Sequence, residues 1–297
     1  MTQVVETGRG VSQVVTPNGL EIFFQDKPKR LYRIRERWVG GPLEDLREEY
    51  SDWVEVPSAS SITDVISKPL QWWGMKVGVE GIQELVAKQE IRTSNDRIVY
   101  RQAPIDTEGL VSLLTQHKLT VNHDTKATTR GTNVHKALEA FAETKAMPDP
   151  KFYPETESGY IAGLAAFIND AHPHPLMSEV MVASLDGYAG RFDLVCNLDF
   201  AGKVVTKLYP KKPPVRTQLS GSWLIDLKTS SGVWPSYHVQ VAGYLNALEE
   251  CGYPVPEHAG ILRVTNDGRY ELVECNAMYS DFQNALALYQ SVKRIGK

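Results

Sequence analysis

The stretch Trp223–Lys228, WLIDLK, constrains this chain more than any other. In a strand, side chains alternate, so Leu224, Asp226 and Lys228 point one way and Trp223, Ile225 and Leu227 the other. Continuous apolar character of this kind suits a strand covered on both faces of a sheet. A carboxylate and an ammonium at its end are costly there unless partners satisfy them. Upstream, GRFDLV (Gly190–Val195) repeats the oddity with a lone Asp193 between Phe192 and Leu194. Two strand-borne carboxylates and a lysine converging on one point describe a metal site with a lysine beside it. Phosphodiester hydrolysis needs that constellation.

The triplet acid-x-Lys is not selective by itself. It recurs at Asp124–Lys126, Glu143–Lys145 and Asp149–Lys151, none of which follows an apolar, strand-like run. Only Asp226–Lys228 ends a hydrophobic strand, opens into the small-residue turn Thr229–Gly232 and leads to an amphipathic helix. The competing interpretation is an ion pair at a strand end.

With 297 residues, 42% of them hydrophobic, the chain can build one large domain or two small ones. Its formal charge of −4 argues against a protein held on DNA by bulk charge, though not against a nuclease whose acidic site is neutralised by cations. Cys196, Cys251 and Cys275 are widely spaced without a CxxC, which disfavours a zinc ribbon and suits a reducing cytoplasm. The polar N-terminus lacks the apolar core of a signal peptide, and no run approaches a membrane span. A cytoplasmic protein with no membrane partner is expected. No Walker A loop is present.

Residues 1–56 read as a β-rich segment, with strands at Leu20–Gln25, Leu31–Trp38 and Asp52–Val56. The basic run Arg30–Arg37, with Tyr32 between arginines, suits a charge-protected edge strand better than a DNA-facing ribbon. From Pro57 the pattern turns helical. Ser60 or Ser61 can cap a short helix through Ser67, and a longer helix spans Leu70–Lys88, with Trp72 and Trp73 assigned to the core. Asp106–Thr107 caps a further helix to about His117. In the helix Thr128–Lys145, Val134, Ala137, Leu138 and Phe141 form an apolar stripe, with His135 at its edge and Glu139 one turn later. A histidine there is usually structural, but imidazole can complete a metal shell once carboxylates lie nearby.

After the joint Met147–Pro154 the pattern gives a helix at Glu155–Ala171 and strands at Ser178–Ser184, Ala189–Asp199, Lys203–Leu208 and Trp223–Lys228. A helix at Tyr237–Cys251, strands at His258–Val264 and Arg269–Glu274, and a closing helix from Met278 follow. The order predicts an α/β (mixed α+β) fold: a central mixed sheet flanked by helices. A helical part, 57–150, would precede a core of 151–297 and follow the β-rich N-terminal extension.

Together these segments resemble the PD-(D/E)XK nuclease superfamily and, within it, the RecB-like exonucleases often encoded by phages. The resemblance covers Pro57 to Tyr289. It rests on RGTNVHKALE (Arg130–Glu139), SEV (Ser178–Val180), GYAGRFDLV (Gly187–Val195), IDLKTS (Ile225–Ser230) and QVAGY (Gln240–Tyr244). It implies a restriction-endonuclease-like core in which His135, Asp193, Asp226 and the backbone carbonyl of Leu227 bind one or two Mg²⁺ or Mn²⁺ ions. Lys228 would be the family lysine. Gln240 would orient that lysine or the DNA backbone, Tyr244 would support it, and Glu179 would touch metal or water or pair with a nearby cation.

Carboxylates, a carbonyl and water are hard oxygen ligands that suit Mg²⁺ or Mn²⁺, and the histidine leaves room for Mn²⁺. Lys228, near a cation and partly desolvated, is expected to have a depressed pKa and to position or deprotonate a water. His172, His174 and His238 match no motif position and are expected at the surface or in loops.

Two departures from the family are visible. Relatives with an iron–sulphur cluster hold it with four cysteines, so three dispersed ones predict no cluster. The insert Gly202–Ser222 carries Lys203, Lys207, Lys211, Lys212 and Arg216, which, with Arg130, are candidates to grip DNA phosphates. The resemblance thus leads to a metal-dependent DNA exonuclease serving phage recombination, repair or processing in the bacterial host cytoplasm. A phage recombinase or single-strand-binding protein would be a further partner. The alternatives are a structure-specific or restriction-like endonuclease and a catalytically inactive DNA-binding scaffold, the latter disfavoured because every motif residue is present.

Overall fold

The computed structural model describes residues 3–8, 11–26, 30–40, 47–50, 52–66, 91–92, 98–99, 119–199, 204–205, 216–217 and 220–295. The chain divides into two compact units, Met1–Ile66 with Asn133–Lys297, and Ser67–Thr132. Among the described residues, no helix is long and apolar enough to cross a membrane.

The first unit opens with antiparallel strands β1 (Gln3–Gly8), β2 (Val11–Val15), β3 (Leu20–Gln25), β4 (Leu31–Gly40) and β5 (Arg47–Tyr50), in that order across the sheet. A sixth, β6 (Val54–Val56), also pairs with β4. The sequence predicts β3, β4 and β6 but not β1, β2 and β5, whose polar residues interrupt the alternation expected of a half-buried strand. The basic run Arg30–Arg37 is not an edge strand. Instead β4 pairs with β3 through Leu31–Glu36 and with β6 through Tyr32–Ile34. Its period of two explains this: Tyr32 and Ile34 are buried, Arg33 is exposed, and Arg35 donates to the buried Glu21 at 2.8 Å. A short helix, α1 (Ala59–Thr63), follows. Its cap is Ser58 rather than Ser60 or Ser61, because Ser58 has the extended backbone a cap needs and its hydroxyl accepts from the Ser61 N–H.

In the second unit, β7 (Ile91–Arg92) and β8 (Ile98–Val99) form an antiparallel pair. The helices expected at Leu70–Lys88, with Trp72 and Trp73, and at Asp106–His117 lie outside the described residues. Helix α2 (Leu119–Thr144) begins in this unit and ends in the first. It starts well before the expected Thr128, since the turn-prone Asn122 and Asp124 conceal its first turns from a propensity reading.

The remainder of the first unit carries α3 (Glu155–Ala171), β9 (His174–Ser184), β10 (Tyr188–Leu198), the short antiparallel pair β11 (Val204–Val205) and β12 (Arg216–Thr217), and β13 (Gly221–Lys228). Then come α4 (Pro235–Glu250), β14 (His258–Val264), β15 (Tyr270–Glu274) and α5 (Tyr279–Ile295). The sheet order is β15-β14-β13-β10-β9. Only β13 and β14 are parallel, joined by α4 as the crossover helix that parallel neighbours require. The result is the expected mixed sheet flanked by helices.

On one face, Val134 and Leu138 of α2 and Ile161, Leu164 and Phe167 of α3 belong to one core with Leu194, Ile225 and Leu227. On the other, Val241, Tyr244 and Leu248 of α4 and Phe282 of α5 share a core with Phe192, Leu224 and Ile261. Ile22, Tyr32 and Ile34 of the N-terminal sheet join that second core. Strand β13 is therefore buried on both sides, and burying each large apolar side chain stabilises the fold by about 1.5–3 kcal/mol.

Helix α2 is fixed against α3 by a polar contact in an apolar seam. Asn133 Nδ2 donates to both carboxylate oxygens of the buried Glu157, at 3.0 Å each. Asn133→Ala should therefore destabilise the protein by about 1–3 kcal/mol in urea denaturation. Asn133→Asp should cost more by placing like charges together. An unchanged midpoint in both variants would show that the contact does not hold the helix.

Candidate metal centre

The site forms where β10 and β13 part. Their ladder runs from Leu198 opposite Gly221 to Leu194 opposite Ile225 and stops there. Asp193 and Asp226 are the next residues on each strand. Beyond that point the Asp193 side chain replaces β10 backbone: its Oδ2 accepts the Leu227 N–H at 2.6 Å. Its other oxygen, Oδ1, lies 2.9 Å from His135 Nδ1. One carboxylate thus ties β10 to β13 and to α2.

The ladder between β9 and β10 skips a pair at the same level. It pairs Val180 with Phe192 and Ser178 with Leu194, and omits the pair Glu179–Asp193. Glu179 has φ of 52°, a left-handed conformation that side chains with a Cβ rarely adopt and that concentrates at functional sites. Ligand atoms of His135, Glu179 and Asp193 all lie within 4.8 Å of one another, so this group could hold a divalent cation.

Asp226 and Lys228 share the face of β13 that looks toward α4. Lys228 Nζ is 2.7 Å from Asp226 Oδ2 and 5.0 Å from the centre of the Tyr237 ring. On α4, one turn apart, Gln240 Nε2 donates to the Tyr244 hydroxyl at 2.7 Å. The Tyr244 ring reaches this position only because residue 190 is glycine: a Cβ there would meet Tyr244 Cε1 at 2.5 Å. The turn after Lys228 is held by Arg263, the neighbour of Lys228 in the parallel register. Arg263 binds the buried Glu271 and donates to the Ser230 and Ser231 carbonyls at 3.4 and 3.3 Å.

Burial pushes every carboxyl here upward, and the charged partners decide which one stays low. At Asp193, His135, Lys228 and the Leu227 N–H outweigh burial and hold the carboxyl below its ordinary value. At Asp226, burial and the Asp193 charge exceed what Lys228 returns, and the carboxyl is raised. Two carboxylates sharing one lysine split in this way. Burial and then Asp193 push Glu179 up to about 7 against the pull of Arg191 and His135. Burial lowers His135, but the Asp193 carboxylate outweighs it and the imidazole is raised. Among these carboxylates alone, Lys228 does not show the depressed pKa that the sequence leads one to expect beside a cation. Burial does pull it down, but Asp226 and Asp193 outweigh burial and hold the ammonium above the usual lysine value.

His135 and Asp193 come together with Glu179, which moves from the periphery to the centre. Asp226 is not in that group, because its carboxylate engages Lys228. Leu227 meets the site through its N–H on Asp193. Gln240 and Tyr244 stand on α4 as a bonded pair, and Arg130 lies on the part of α2 that belongs to the second unit. Lys203, Lys207, Lys211 and Lys212 lie outside the described residues, and only the backbone of Arg216, in β12, is described. His172 and His174 are exposed, whereas His238 is half-buried with its pKa lowered by burial. Sequence reasoning missed Arg263. The signal was available: one charge inside the apolar strand HAGILRV, the same oddity that singled out Asp226.

No family model matches the sequence, nor does any curated protein at a significant level. Solved structures do match. One of them, the crystal structure of SSO0001, is 15% identical over 53% of this chain and 71% of that chain, at a TM-score of 0.27. At that level the likeness carries no conclusion about fold or function.

The raised Glu179 pKa has a defined sign. Between the ordinary 4.5 and about 7 the folded protein holds a proton that the unfolded chain has released. That contribution to stability is complete below the ordinary value and is lost as pH rises through the folded one. In EDTA, Glu179→Gln should therefore melt with wild type near about pH 5 and above it near about pH 8. Parallel melting curves across that range would refute the assignment.

Proposed function

We propose that this protein is a metal-dependent nuclease that hydrolyses DNA phosphodiester bonds, acting as an exonuclease. The observation that carries the proposal is the parting of β10 and β13 at Asp193 and Asp226, where His135, Glu179 and Lys228 gather. One imidazole and several carboxylates form an oxygen-rich donor set that fits Mg²⁺ or Mn²⁺. His135, Glu179 and Asp193 would hold the ion, with Asp226 and the Leu227 carbonyl as further ligands. When bound, such an ion polarises the scissile phosphate and lowers the pKa of a coordinated water.

The chain's own residues do the rest. Lys228, kept as an ammonium by Asp226, offers positive charge to the phosphate as negative charge develops on it. In this reading the lysine acts electrostatically, and a general-base role is the alternative that the pH–rate profile separates from it. Gln240 and Tyr244 hold each other on α4 beside β13, and Arg263 holds the turn that follows Lys228. The exonuclease mode, the phage setting and a recombinase or single-strand-binding partner rest on the motif resemblance.

Digestion of end-labelled linear and closed circular DNA with Mg²⁺ or Mn²⁺ tests the proposal. Linear DNA should be degraded, circular DNA should persist, and EDTA should stop the reaction. Cutting of the circle would favour the endonuclease alternative. Cleavage of neither, with either ion, would leave only a binding scaffold.

Asp193→Ala should abolish cleavage, while Lys228→Ala should lower turnover by a factor on the order of 10² or more. An electrostatic Lys228 further predicts a wild-type pH–rate profile without a lysine limb near neutrality. A limb that vanishes in Lys228→Ala would make the lysine a base after all.

A further inference from the structure

The acidic group of the site repels the phosphate strand it is proposed to cut, so cations beside it must draw that strand in. Most described cations near the sheet are already engaged. Arg35 makes two bonds to Glu21, Arg263 binds Glu271 and the turn carbonyls, and Lys228 binds Asp226. Arg191, two residues before Asp193 on β10, differs. Its nearest carboxylate contact is Nη1 to Glu179 Oε2 at 3.8 Å, too long for a hydrogen bond. Its Nε is buried without a hydrogen-bond partner among the described residues. With Nε buried, the terminal Nη1 and Nη2 are the planar fork that this guanidinium can present to a phosphate.

The N-terminal sheet fixes that fork in place. Arg191 Cζ lies 4.8 Å from the centre of the Phe24 ring on β3. The same ring carries a second guanidinium, Arg30, at 5.6 Å. Arg30 donates to the Tyr32 hydroxyl at 3.3 Å and interacts electrostatically with Tyr244, whose hydroxyl Gln240 holds. Glu179 Oε2 lies 3.8 Å from Arg191 Nη1, and the Glu179 ligand atom lies within 4.8 Å of those of His135 and Asp193. The arginine platform therefore stands one carboxylate away from the candidate metal group.

We infer that Arg191 and Arg30, stacked on Phe24 beside the acidic group, form a subsite for a non-scissile phosphate of the DNA strand; this rests on the nuclease reading above. The β-rich N-terminal segment then takes part in holding the strand: Arg30 meets solvent, while the buried Phe24 and Tyr32 support the arginines from beneath. Arg191 supplies bidentate capture. Arg30, exposed and tethered by one hydrogen bond, supplies charge at the rim.

The test is binding of a fluorescent duplex with a single-stranded tail, with Ca²⁺ replacing Mg²⁺ or Mn²⁺ to suppress turnover, followed across a salt series. Arg191→Met should weaken binding by roughly tenfold to a hundredfold and flatten the slope of log affinity against log salt by about 0.7–0.9, the share of one phosphate. Arg191→Lys should keep the slope while losing affinity, since it retains the charge and loses the fork. Replacing single non-scissile phosphates by methylphosphonates should weaken wild type at one position and leave Arg191→Met unaffected there.

If Arg191→Met does not fold, the exposed Arg30→Ala carries the same methylphosphonate comparison. A wild type that cuts DNA while every variant keeps the wild-type slope, with methylphosphonate losses additive at all positions, would overturn the subsite alone. A wild type that neither binds nor cuts DNA would overturn the nuclease reading and the subsite with it.

Discussion

The Asp193 carboxylate is the interaction on which the rest of the site depends. Its two oxygens take a backbone N–H from β13 and the imidazole of a helix on the other layer. A buried carboxylate is tolerated only when its lone pairs are met, and here they are met by groups from two different elements. The strands can therefore separate without leaving Leu227 N–H orphaned. Around the separation, Asp193 meets Glu179 and His135, while Asp226 pairs with Lys228. Fold and chemistry use the same hydrogen bonds.

Charge distribution across the sheet follows from the same geometry. Asp193 is held low and Asp226 raised, so the pair presents one firm negative charge and one adjustable charge around a single ammonium. Arg263, beside Lys228 in register, would add a second cation to that point if it were not bound to Glu271. Glu271 thus spares the Asp226–Lys228 pair a competitor, while Arg263 holds the turn that follows it. The arginines near Phe24 add positive charge beside Glu179, with Arg191 held 3.8 Å from its carboxylate.

Much of the central sheet was legible because its signals are local and strong. The bounds of α3 and β14 match the sequence reading residue for residue, and the continuous apolar run of β13 announced a strand buried on both faces. His135, Asp193, Asp226 and Lys228 were legible because charge in an apolar strand or beside an apolar stripe is costly and calls for a partner. What the sequence concealed was non-local. The central place of Glu179 comes from a broken ladder and a positive φ, which no spacing rule anticipates. The direction of the Lys228 shift depends on two carboxylates brought from different strands. The interior position of β4 depends on its pairing with β6, a strand legible by itself but not as the neighbour of β4.

The left-handed backbone at Glu179 sets two demands against each other. Glycine would relax that conformation and remove the raised carboxyl together with its burial penalty, two gains set against the greater freedom glycine has in the unfolded chain. It also deletes one of the three groups that gather around Asp193. Any selection that rewards heat tolerance alone, in the laboratory or in nature, will drift toward loss of this side chain. Among variants chosen only for robustness, glycine at residue 179 would mark a lineage released from the work of the site.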